Sequence, residues 1–274
     1  MKNGAGISAV IITFNESAHI GRCIDSVSEL VDEVLVVDSF STDDTREIAQ
    51  SRGARVIQHA FEGHIQQKNW AKDQARHNWV LSLDADECLS DTLRKNLHNA
   101  INNGLLHGNA KGFVFSRLNH LGTRPIRGCG WYPDAKLRLW DRTCGRWGGR
   151  NPHDKFILDK GHWVGKTIDG DILHYTYPDL AAVKQQALKF GKIGAQAVKE
   201  DLVDSSGAPF RHQGVALYLA IKLLSAGLIR FVRNYLLRGG WKYGSDGLMI
   251  CYWQMAEVTL KYAGALFGKR QSPS

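Results

Sequence analysis

The sequence lacks features that define several classes of protein. Its five cysteines are odd in number and no two have the CxxC spacing of a zinc site or redox pair, which predicts free thiols in a reducing compartment. The apolar run near the N-terminus is too short for a signal peptide, so we expect a cytoplasmic protein. No run reaches the ~18 apolar residues of a membrane-spanning helix, because Lys222, Arg230 and Arg233 interrupt the C-terminal third.

The composition is that of an ordinary globular protein. Of 274 residues, 43% are hydrophobic and 23% are charged, which excludes disordered, collagenous and low-complexity chains. The 35 lysines and arginines exceed the 27 aspartates and glutamates, so the net charge is +8. Much of the excess lies in the C-terminal third among aromatic and aliphatic residues, which favours an anionic membrane surface over nucleic acid as a partner.

From Ile7 onward, short apolar runs alternate with amphipathic stretches. The runs predict four buried strands, at 7–14, 33–38, 54–58 and 79–84. The stretches between and after them have helical spacing, and Ser41 with Asp44 fits a capping box at the start of one helix. This alternation predicts an α/β fold with a parallel sheet and crossover helices.

The pattern changes after residue 112. Three further strands are predicted at 112–117, 136–140 and 155–158, as an antiparallel or mixed extension of the sheet whose loops form one wall of the site. A helix is predicted from Leu180 to Glu200 with Asp179 as its cap.

The last third is basic and predicted to be helical. Cations and aromatic residues interleaved with leucines are typical of a helix lying in a membrane interface, and the alternatives are a helix packed on the first domain or a dimer interface. We therefore predict a catalytic domain over 1–205 and a basic amphipathic tail over 206–274.

Polar clusters follow three of the predicted strands, at 13–16, 38–44 and 84–87. Ligands bind beyond the carboxyl ends of parallel strands, so these clusters are expected to share one crevice. The carboxylates of Asp84 and Asp86 suit a divalent ion, and the alternative is an acidic surface turn. Asp38 ends a buried strand and needs a hydrogen-bond partner, which a ligand could supply; the alternative is a capping acid.

Together, TFNE (13–16), VVDSFSTDDT (36–45) and LSLDADE (81–87) resemble the motifs of family 2 glycosyltransferases of the GT-A fold. QKNWA (67–71), GWYPDAKLRLW (130–140), PHD (152–154) and LHYTYPDL (173–180) are similar to lipopolysaccharide inner-core β-1,4-glucosyltransferases within that family. The resemblance covers about residues 7–200 and continues more loosely into the tail. It implies a Rossmann-like mixed sheet with flanking helices.

The resemblance also implies roles for individual residues. The nucleotide-sugar site would contain Thr13, Phe14, Asn15, Glu16, Asp38, Ser39, Lys68 and Asp84. Asp84 would bind the ribose or help the metal, and Lys68 would face the diphosphate. Asp86 and His174 would hold a divalent metal, Mg²⁺ or Mn²⁺.

An inverting transfer needs a carboxylate that takes the proton of the acceptor hydroxyl. The candidates are Asp154 and Asp134, and both stay open here. Relatives have His-Glu where this chain has His153-Asp154, and aspartate is one methylene shorter. Trp131, Tyr132, Trp147 and Trp163 could stack on sugars or pack in the core.

The implied reaction is transfer of a hexose, glucose from UDP-glucose, to a hydroxyl of a lipid-linked saccharide, the heptose region of a lipopolysaccharide core. The enzyme would be peripheral on the inner face of the cytoplasmic membrane, through its tail. Alternatives are another nucleotide sugar with a polyprenyl-phosphate or other glycolipid acceptor, and a non-enzymatic basic membrane-binding module.

Three other enzyme classes fit poorly. GAGISA (4–9) precedes the first strand instead of following it, which excludes a dinucleotide-binding turn. Haloacid dehalogenase phosphatases have Thr or Val at the position of Cys88 and an aspartate in the first strand, which is missing here. A nucleotidyltransferase would need a glycine-rich loop after the first strand.

Overall fold

The computed structural model describes residues 6–150, 153–202 and 213–268. They belong to two compact units, one within Met1–Leu118 and Pro133–Thr176 and the other within Asn119–Tyr132 and Tyr177–Ser274. The predicted boundary at residues 205 and 206 lies outside the described residues and stays a prediction. Residues 180–201, predicted to belong to the catalytic domain, group with the C-terminal helices.

The first unit begins with alternating strands and helices, as predicted. They are β1 (Ile7–Thr13), α1 (Ile20–Val27), β2 (Glu33–Asp38), α2 (Thr45–Ser51), β3 (Arg55–Gln58), α3 (His64–Asp73), β4 (Trp79–Asp84), β5 (Glu87–Leu89) and α4 (Asp91–Asn102). The order β3-β2-β1-β4 is parallel throughout, which confirms the predicted parallel sheet. β1 is apolar along almost its whole length because neighbouring strands and helices bury it.

The remaining strands are β6 (Gly112–Leu121), β7 (Arg124–Pro125), β8 (Asp134–Asp141), β9 (Gly145–Arg150), β10 (His153–Leu158) and β11 (Asp171–Tyr177). Among the described residues the main sheet has nine strands, ordered β3-β2-β1-β4-β8-β6-β11-β5, with β7 on β6. β8 is antiparallel to both β4 and β6, which confirms an antiparallel extension for two of the three predicted strands.

The third predicted strand, at 155–158, does not extend the sheet. It is part of β10, which pairs with β9 in a separate two-stranded hairpin. The Phe156 ring stacks on Trp140 of β8 at 3.8 Å, and Trp147 of β9 meets both rings edge-on. The hairpin thus buries Trp147 and Phe156 against the main sheet.

The predicted capping box is wrong. α2 begins at Thr45 with Asp44 in the N-cap position, and the Asp44 side chain makes no capping hydrogen bond. The Ser41 hydroxyl instead accepts a hydrogen bond from Asn15 N–H, which joins the loops after β1 and β2. The other predicted cap is confirmed, because the Asp179 carboxylate accepts from Ala182 N–H at 2.8 Å.

The second unit contains α5 (Leu180–Asp201), α6 (Gln213–Val232) and α7 (Gly244–Phe267). α6 continues through a π-helical turn at Arg233–Leu237, and a short 3-10 turn, Gly240–Tyr243, precedes α7. α6 approaches α7 at Gly227, where a Cβ atom would lie 2.5 Å from Thr259 Oγ1. Buried Asn234 and Gln254 are hydrogen-bonded to each other at 2.6 Å.

One helix in the described part of the chain, Gly214–Leu237, is long and apolar enough to cross a membrane by length and composition, with a mean hydropathy of 1.9. Such a segment was not expected from the sequence, because cations interrupt the apolar residues there. The helix meets the length and hydropathy criterion in spite of its cations, so that exclusion is withdrawn. All five cysteines are buried free thiols, as expected.

Candidate active site

The carboxyl ends of three parallel strands bring the predicted polar residues to one edge of the sheet. Thr13 at the end of β1 is paired in register with Asp38 at the end of β2. On the other side of β1, Ile12 is paired with Asp84 at the end of β4. Paired strands lie ~5 Å apart, so the three strand ends are immediate neighbours.

Hydrogen bonds tie the loops after β1 and β2 together. Asn15 N–H donates to Ser41 Oγ at 2.8 Å, and Thr42 N–H donates to Asn15 Oδ1 at 2.8 Å. Glu16 N–H donates to Thr45 Oγ1, also at 2.8 Å. The two loops therefore form one rigid wall of the crevice, and residues 13–16 and 38–39 lie together as predicted.

Backbone strain marks the same loops. Asn15 and Phe40 have φ angles of 53° and 63°, which residues other than glycine rarely adopt and which concentrate at functional sites. The side chains of Phe14 and Phe40 are 57% and 54% exposed. Exposed aromatic rings beside polar strand ends suit stacking on a planar base. Phe14 was predicted from the sequence and Phe40 was not, although Phe40 is marked by its position between two serines.

The Asp38 carboxylate is fully buried, and only one of its two oxygens has a hydrogen-bond partner among the described residues. Oδ2 accepts from Ser41 N–H at 3.0 Å and from Gln58 Nε2 at 3.2 Å. Asp38 Oδ1 and Thr13 Oγ1 are buried with no hydrogen-bond partner among the described residues. A buried acceptor left without a partner costs roughly 1–3 kcal/mol, so these atoms fit a polar ligand group.

Ser39 connects the wall formed by the loops after β1 and β2 to α3. Its hydroxyl accepts from Gln67 Nε2 at 3.1 Å, and Gln67 Oε1 lies 2.8 Å from His59 Nδ1. The His59 ring stacks on Trp70 at 3.9 Å. This chain of contacts fixes α3 beside the strand ends, and Lys68 lies on the same helix.

Lys68 joins two of the predicted site carboxylates. Its Nζ lies 3.0 Å from Asp84 Oδ1 and 2.9 Å from Asp154 Oδ2, and its side chain is only 6% exposed. The ammonium also lies 4.7 Å above the Trp147 ring, a cation–π contact. These three charged residues were predicted from the sequence to share one site, and in the structure they lie in direct contact.

A second layer of charge behind Asp84 was not predicted. Arg138 Nη2 lies 3.0 Å from Asp84 Oδ2 and 2.6 Å from Glu87 Oε1, and Arg117 Nη1 lies 3.2 Å from Glu87 Oε1. Burial alone raises the pKa of the Asp84 carboxyl, but Lys68 and Arg138 lower that pKa well below its usual value. Arg138 Nε and Nη1 are buried with no hydrogen-bond partner in the described part of the chain.

The two candidate proton acceptors have different surroundings. Arg117 holds Asp134 Oδ2 through two nitrogens at 2.9 and 2.7 Å, and Lys136 lies 3.1 Å from Oδ1. Burial raises the pKa of Asp134, but these two cations lower it overall, which weakens the carboxylate as a base. Asp154 is 10% exposed and is ion-paired with Lys68. Asp154 is thus paired with one cation where Asp134 is paired with two, which makes Asp154 the more favourable candidate.

The two predicted metal ligands lie side by side. β11 pairs with β5 so that His174 is opposite Glu87, and Tyr175 N–H donates to Asp86 O at 3.0 Å. This pairing sets His174 Nε2 3.2 Å from Asp86 Oδ2. Among the described residues, no group of three or more His, Cys, Asp or Glu side chains is arranged to hold a metal. An oxygen and a nitrogen ligand fit a divalent ion that takes its other ligands from a substrate and water.

The predicted stacking aromatics have varied surroundings. Trp147 is buried in the hairpin core, and Trp131 stacks on Tyr177 at 4.7 Å. Tyr132 lies under the Arg127 guanidinium, 4.6 Å from its ring centroid. Trp163 is 56% exposed. Of the two alternatives, stacking on a sugar and packing in the core, the second is therefore correct for Trp147.

Comparison with known proteins identifies the family. The family model described as "Glycosyl transferase family 2" matches residues 8–140. An uncharacterized glycosyltransferase of Rickettsia typhi is 48% identical over 263 residues, covering 89% of this chain and 80% of the relative. The lipopolysaccharide core biosynthesis glycosyltransferase LpsC of Rhizobium meliloti is 30% identical over 253 residues, covering 89% and 85%. The chain belongs to glycosyltransferase family 2.

This family 2 glycosyltransferase has the GT-A fold. A mannosyltransferase of Pyrobaculum calidifontis, solved with GDP-Man and Mn²⁺, matches with a TM-score of 0.54 at 16% identity, over 98% of this chain and 89% of that one. That similarity concerns the fold alone. Some relatives match only locally: the alignment with a Rickettsia felis glycosyltransferase, 52% identical, spans 88 residues, 32% of this chain and 31% of that protein.

The family match covers most of the site, but not all of it. The predicted nucleotide-sugar residues, Asp86 and Asp134 lie within residues 8–140. Asp154 and His174 lie beyond the match, so their roles depend on the geometry of this glycosyltransferase itself. The roles of the individual residues remain predictions. Membership of the family favours an enzyme over the alternative considered for the sequence, a non-enzymatic membrane-binding module.

Proposed function

We propose that this glycosyltransferase transfers glucose from UDP-glucose, with inversion, to a hydroxyl of a lipid-linked saccharide in the heptose region of a lipopolysaccharide core. The sequence resemblance and the core-biosynthesis name of the Rhizobium relative support the substrate class. The observation that carries the reaction is the cluster in which Lys68 lies 3.0 Å from Asp84 and 2.9 Å from Asp154. It sets a cation and a carboxylate beside the sheet edge where a donor would bind.

The nucleotide would occupy the wall formed by the first two loops. Asp38 Oδ1 and Thr13 Oγ1 are buried and have no hydrogen-bond partner among the described residues, so they suit the polar edge of the base. Phe14 and Phe40 are the aromatic rings available for stacking. Lys68 supplies positive charge where the diphosphate would lie.

A divalent metal, Mg²⁺ or Mn²⁺, would be held by Asp86 and His174, whose ligand atoms lie 3.2 Å apart. When bound, such an ion neutralises charge that develops on a leaving diphosphate. Asp84 is engaged by Lys68 and Arg138, so in this arrangement it is a poorer ligand than Asp86.

The proposed step is a single displacement. The acceptor hydroxyl oxygen forms a bond to the anomeric carbon while the bond from that carbon to the diphosphate oxygen breaks. The hydroxyl proton passes to the Asp154 carboxylate, and the nucleoside diphosphate leaves with the bonding electron pair. Lys68 stabilises the negative charge that develops on the diphosphate. Asp134 stays ion-paired with Arg117 and Lys136.

The test compares Asp154→Asn with Asp134→Asn. General-base catalysis contributes about 10²–10⁴-fold, so we expect Asp154→Asn to lose at least about 100-fold in turnover with UDP-glucose and a core lipid acceptor. Affinity for UDP, measured by calorimetry with Mn²⁺, should change little. Asp134→Asn should keep most of its turnover. Near-normal turnover in Asp154→Asn would reject the assignment, and a better donor in a nucleotide-sugar screen would revise the substrate.

We also propose that the enzyme works in the cytoplasm, peripheral on the inner face of the cytoplasmic membrane. The apolar side chains of Leu217, Ile221, Leu224 and Leu228 form one exposed stripe along α6, 55–80% exposed. A lipid-linked acceptor resides in a membrane, so a stripe of this kind would keep the enzyme near its substrate.

A further inference from the structure

A basic cleft in the second unit has no part in the proposed glycosyl transfer. Its volume is about 440 Å³, within the ~300–1,000 Å³ of small-molecule sites. Of the nine described residues that line it, three are the cations Arg127, Arg238 and Lys242, and none is acidic. Asp246, at the start of α7, is ion-paired with Arg124 at 2.9 Å. The charge of the lining therefore favours an anionic ligand.

The walls of the cleft are held together by main-chain contacts. Cys129 N–H donates to Arg238 O at 3.1 Å, and Arg127 N–H donates to Tyr243 Oη at 2.8 Å. Gly128 lies so close to the opposite wall that a Cβ atom there would be 2.9 Å from Gly239 O. The backbone of the cleft is thus fixed by the fold, and ligand binding needs little rearrangement of the main chain.

Apolar side chains flank the cations. Leu236 and Leu237, which also line the cleft, are 56% and 80% exposed and lie at the end of the long apolar helix. Trp241 is 55% exposed, and Lys242 Nζ lies 5.6 Å above its ring. Tryptophan beside basic residues at the end of an apolar helix is typical of the headgroup level of a membrane.

We propose that this cleft binds the phosphate headgroup of an anionic membrane lipid. The phosphate lies among Arg127, Arg238 and Lys242, and the acyl chains leave along Leu236 and Leu237. The exposed cations Arg127, Arg238 and Lys242 lie beside exposed leucines, which matches a ligand that is anionic at one end and apolar at the other. The inference goes beyond glycosyl transfer and rests on the membrane contact proposed for α6.

The test titrates the full-length protein with dihexanoyl phosphatidylglycerol below its micelle concentration. Each basic residue near anionic lipid contributes ~1 kcal/mol, so Arg238→Gln/Lys242→Gln is expected to weaken binding about 30-fold. Lys189→Gln/Lys192→Gln removes the same charge from exposed positions of α5 and should weaken binding less than about twofold. Arg238→Lys, which keeps the charge, should bind nearly as well as the wild type.

Three results would overturn the proposal. Equal weakening by the α5 pair would show that net charge alone attracts the lipid. Inorganic phosphate binding as tightly as the lipid would assign the cleft to a soluble phosphate compound. Self-association abolished by Arg238→Gln/Lys242→Gln, without lipid binding, would assign it to a second copy of the chain. UDP-glucose hydrolysis, assayed in parallel, should be unchanged, so failure of the cleft and failure of the proposed reaction are separable.

Discussion

At the scale of single residues, Lys68 organises the candidate active site. It is almost fully buried between the carboxylates of Asp84 and Asp154, which come from β4 and β10. Without a cation between them, these two carboxylates would repel each other. Lys68 therefore bridges the two carboxylates and adds a cation to those that Arg138 and Arg117 bring to the site.

We expect Lys68→Met to lower the free energy of unfolding by about 3 kcal/mol at neutral pH, because Asp154 loses its ion pair with Lys68 while Asp84 keeps its ion pair with Arg138. Since the pKa of folded Asp84 is lowered, its ion pairs stabilise the protein above the ordinary aspartate pKa of ~3.9 and lose this effect as the pH falls below it. Denaturant unfolding should show the deficit at neutral pH and a smaller one between about pH 4 and pH 2.

Lys95→Met, at an exposed position of α4, is the control for Lys68→Met and should change stability by less than about 0.5 kcal/mol. A Lys68→Met deficit that is the same at every pH would show that lost packing, and not the ion pairs, explains the effect.

Single residues also show what the sequence can predict. Asp38 and Asp84 were identifiable because each acid follows a run of apolar residues that can only be a buried strand. Arg117 and Arg138 were missed because a cation inside a strand normally marks its solvent face. Only the folded chain shows that Glu87, a residue with no exposed side-chain surface, lies opposite both of them.

At the scale of elements, the hairpin of β9 and β10 positions the proposed base. Asp154 and Phe156 are two residues apart on β10 and therefore lie on the same face of the strand. Phe156 stacks on Trp140 of the main sheet at 3.8 Å, while Asp154 reaches Lys68 on α3. The strand itself was predicted correctly. Its place in the fold was not predicted, because periodicity cannot show which partner a strand pairs with.

We expect Phe156→Ala to lower the free energy of unfolding by about 3 kcal/mol, because it leaves a cavity against Trp140. It should also reduce turnover more than donor affinity, since Asp154 loses its fixed position relative to Lys68. Ile157→Ala alters a neighbouring side chain that is 43% exposed, and it should change both quantities much less. Phe156→Leu should restore part of each loss. Full turnover in a destabilised Phe156→Ala variant would contradict the positioning role.

At the scale of the whole molecule, charge and apolar surface combine in the C-terminal third. The net charge is +8, and α6 has an exposed apolar stripe while Gly227 packs it on α7. The sequence predicted a basic apolar helix there. It did not show the stripe, because which face of a helix stays exposed depends on the partner that covers the other face.

We expect the full-length protein to bind vesicles of equal parts phosphatidylcholine and phosphatidylglycerol, and to be released by high salt, because anionic lipid attracts a basic surface that salt screens. Leu224→Gln/Leu228→Gln should weaken this binding at least about tenfold, since each exposed leucine contributes roughly 1–2 kcal/mol when it enters the membrane. Phe61→Gln removes a half-exposed aromatic residue from the first unit and should leave vesicle binding unchanged. Co-sedimentation measures all three proteins. Resistance of the wild type to both salt and alkaline carbonate would instead show that Gly214–Leu237 crosses the bilayer.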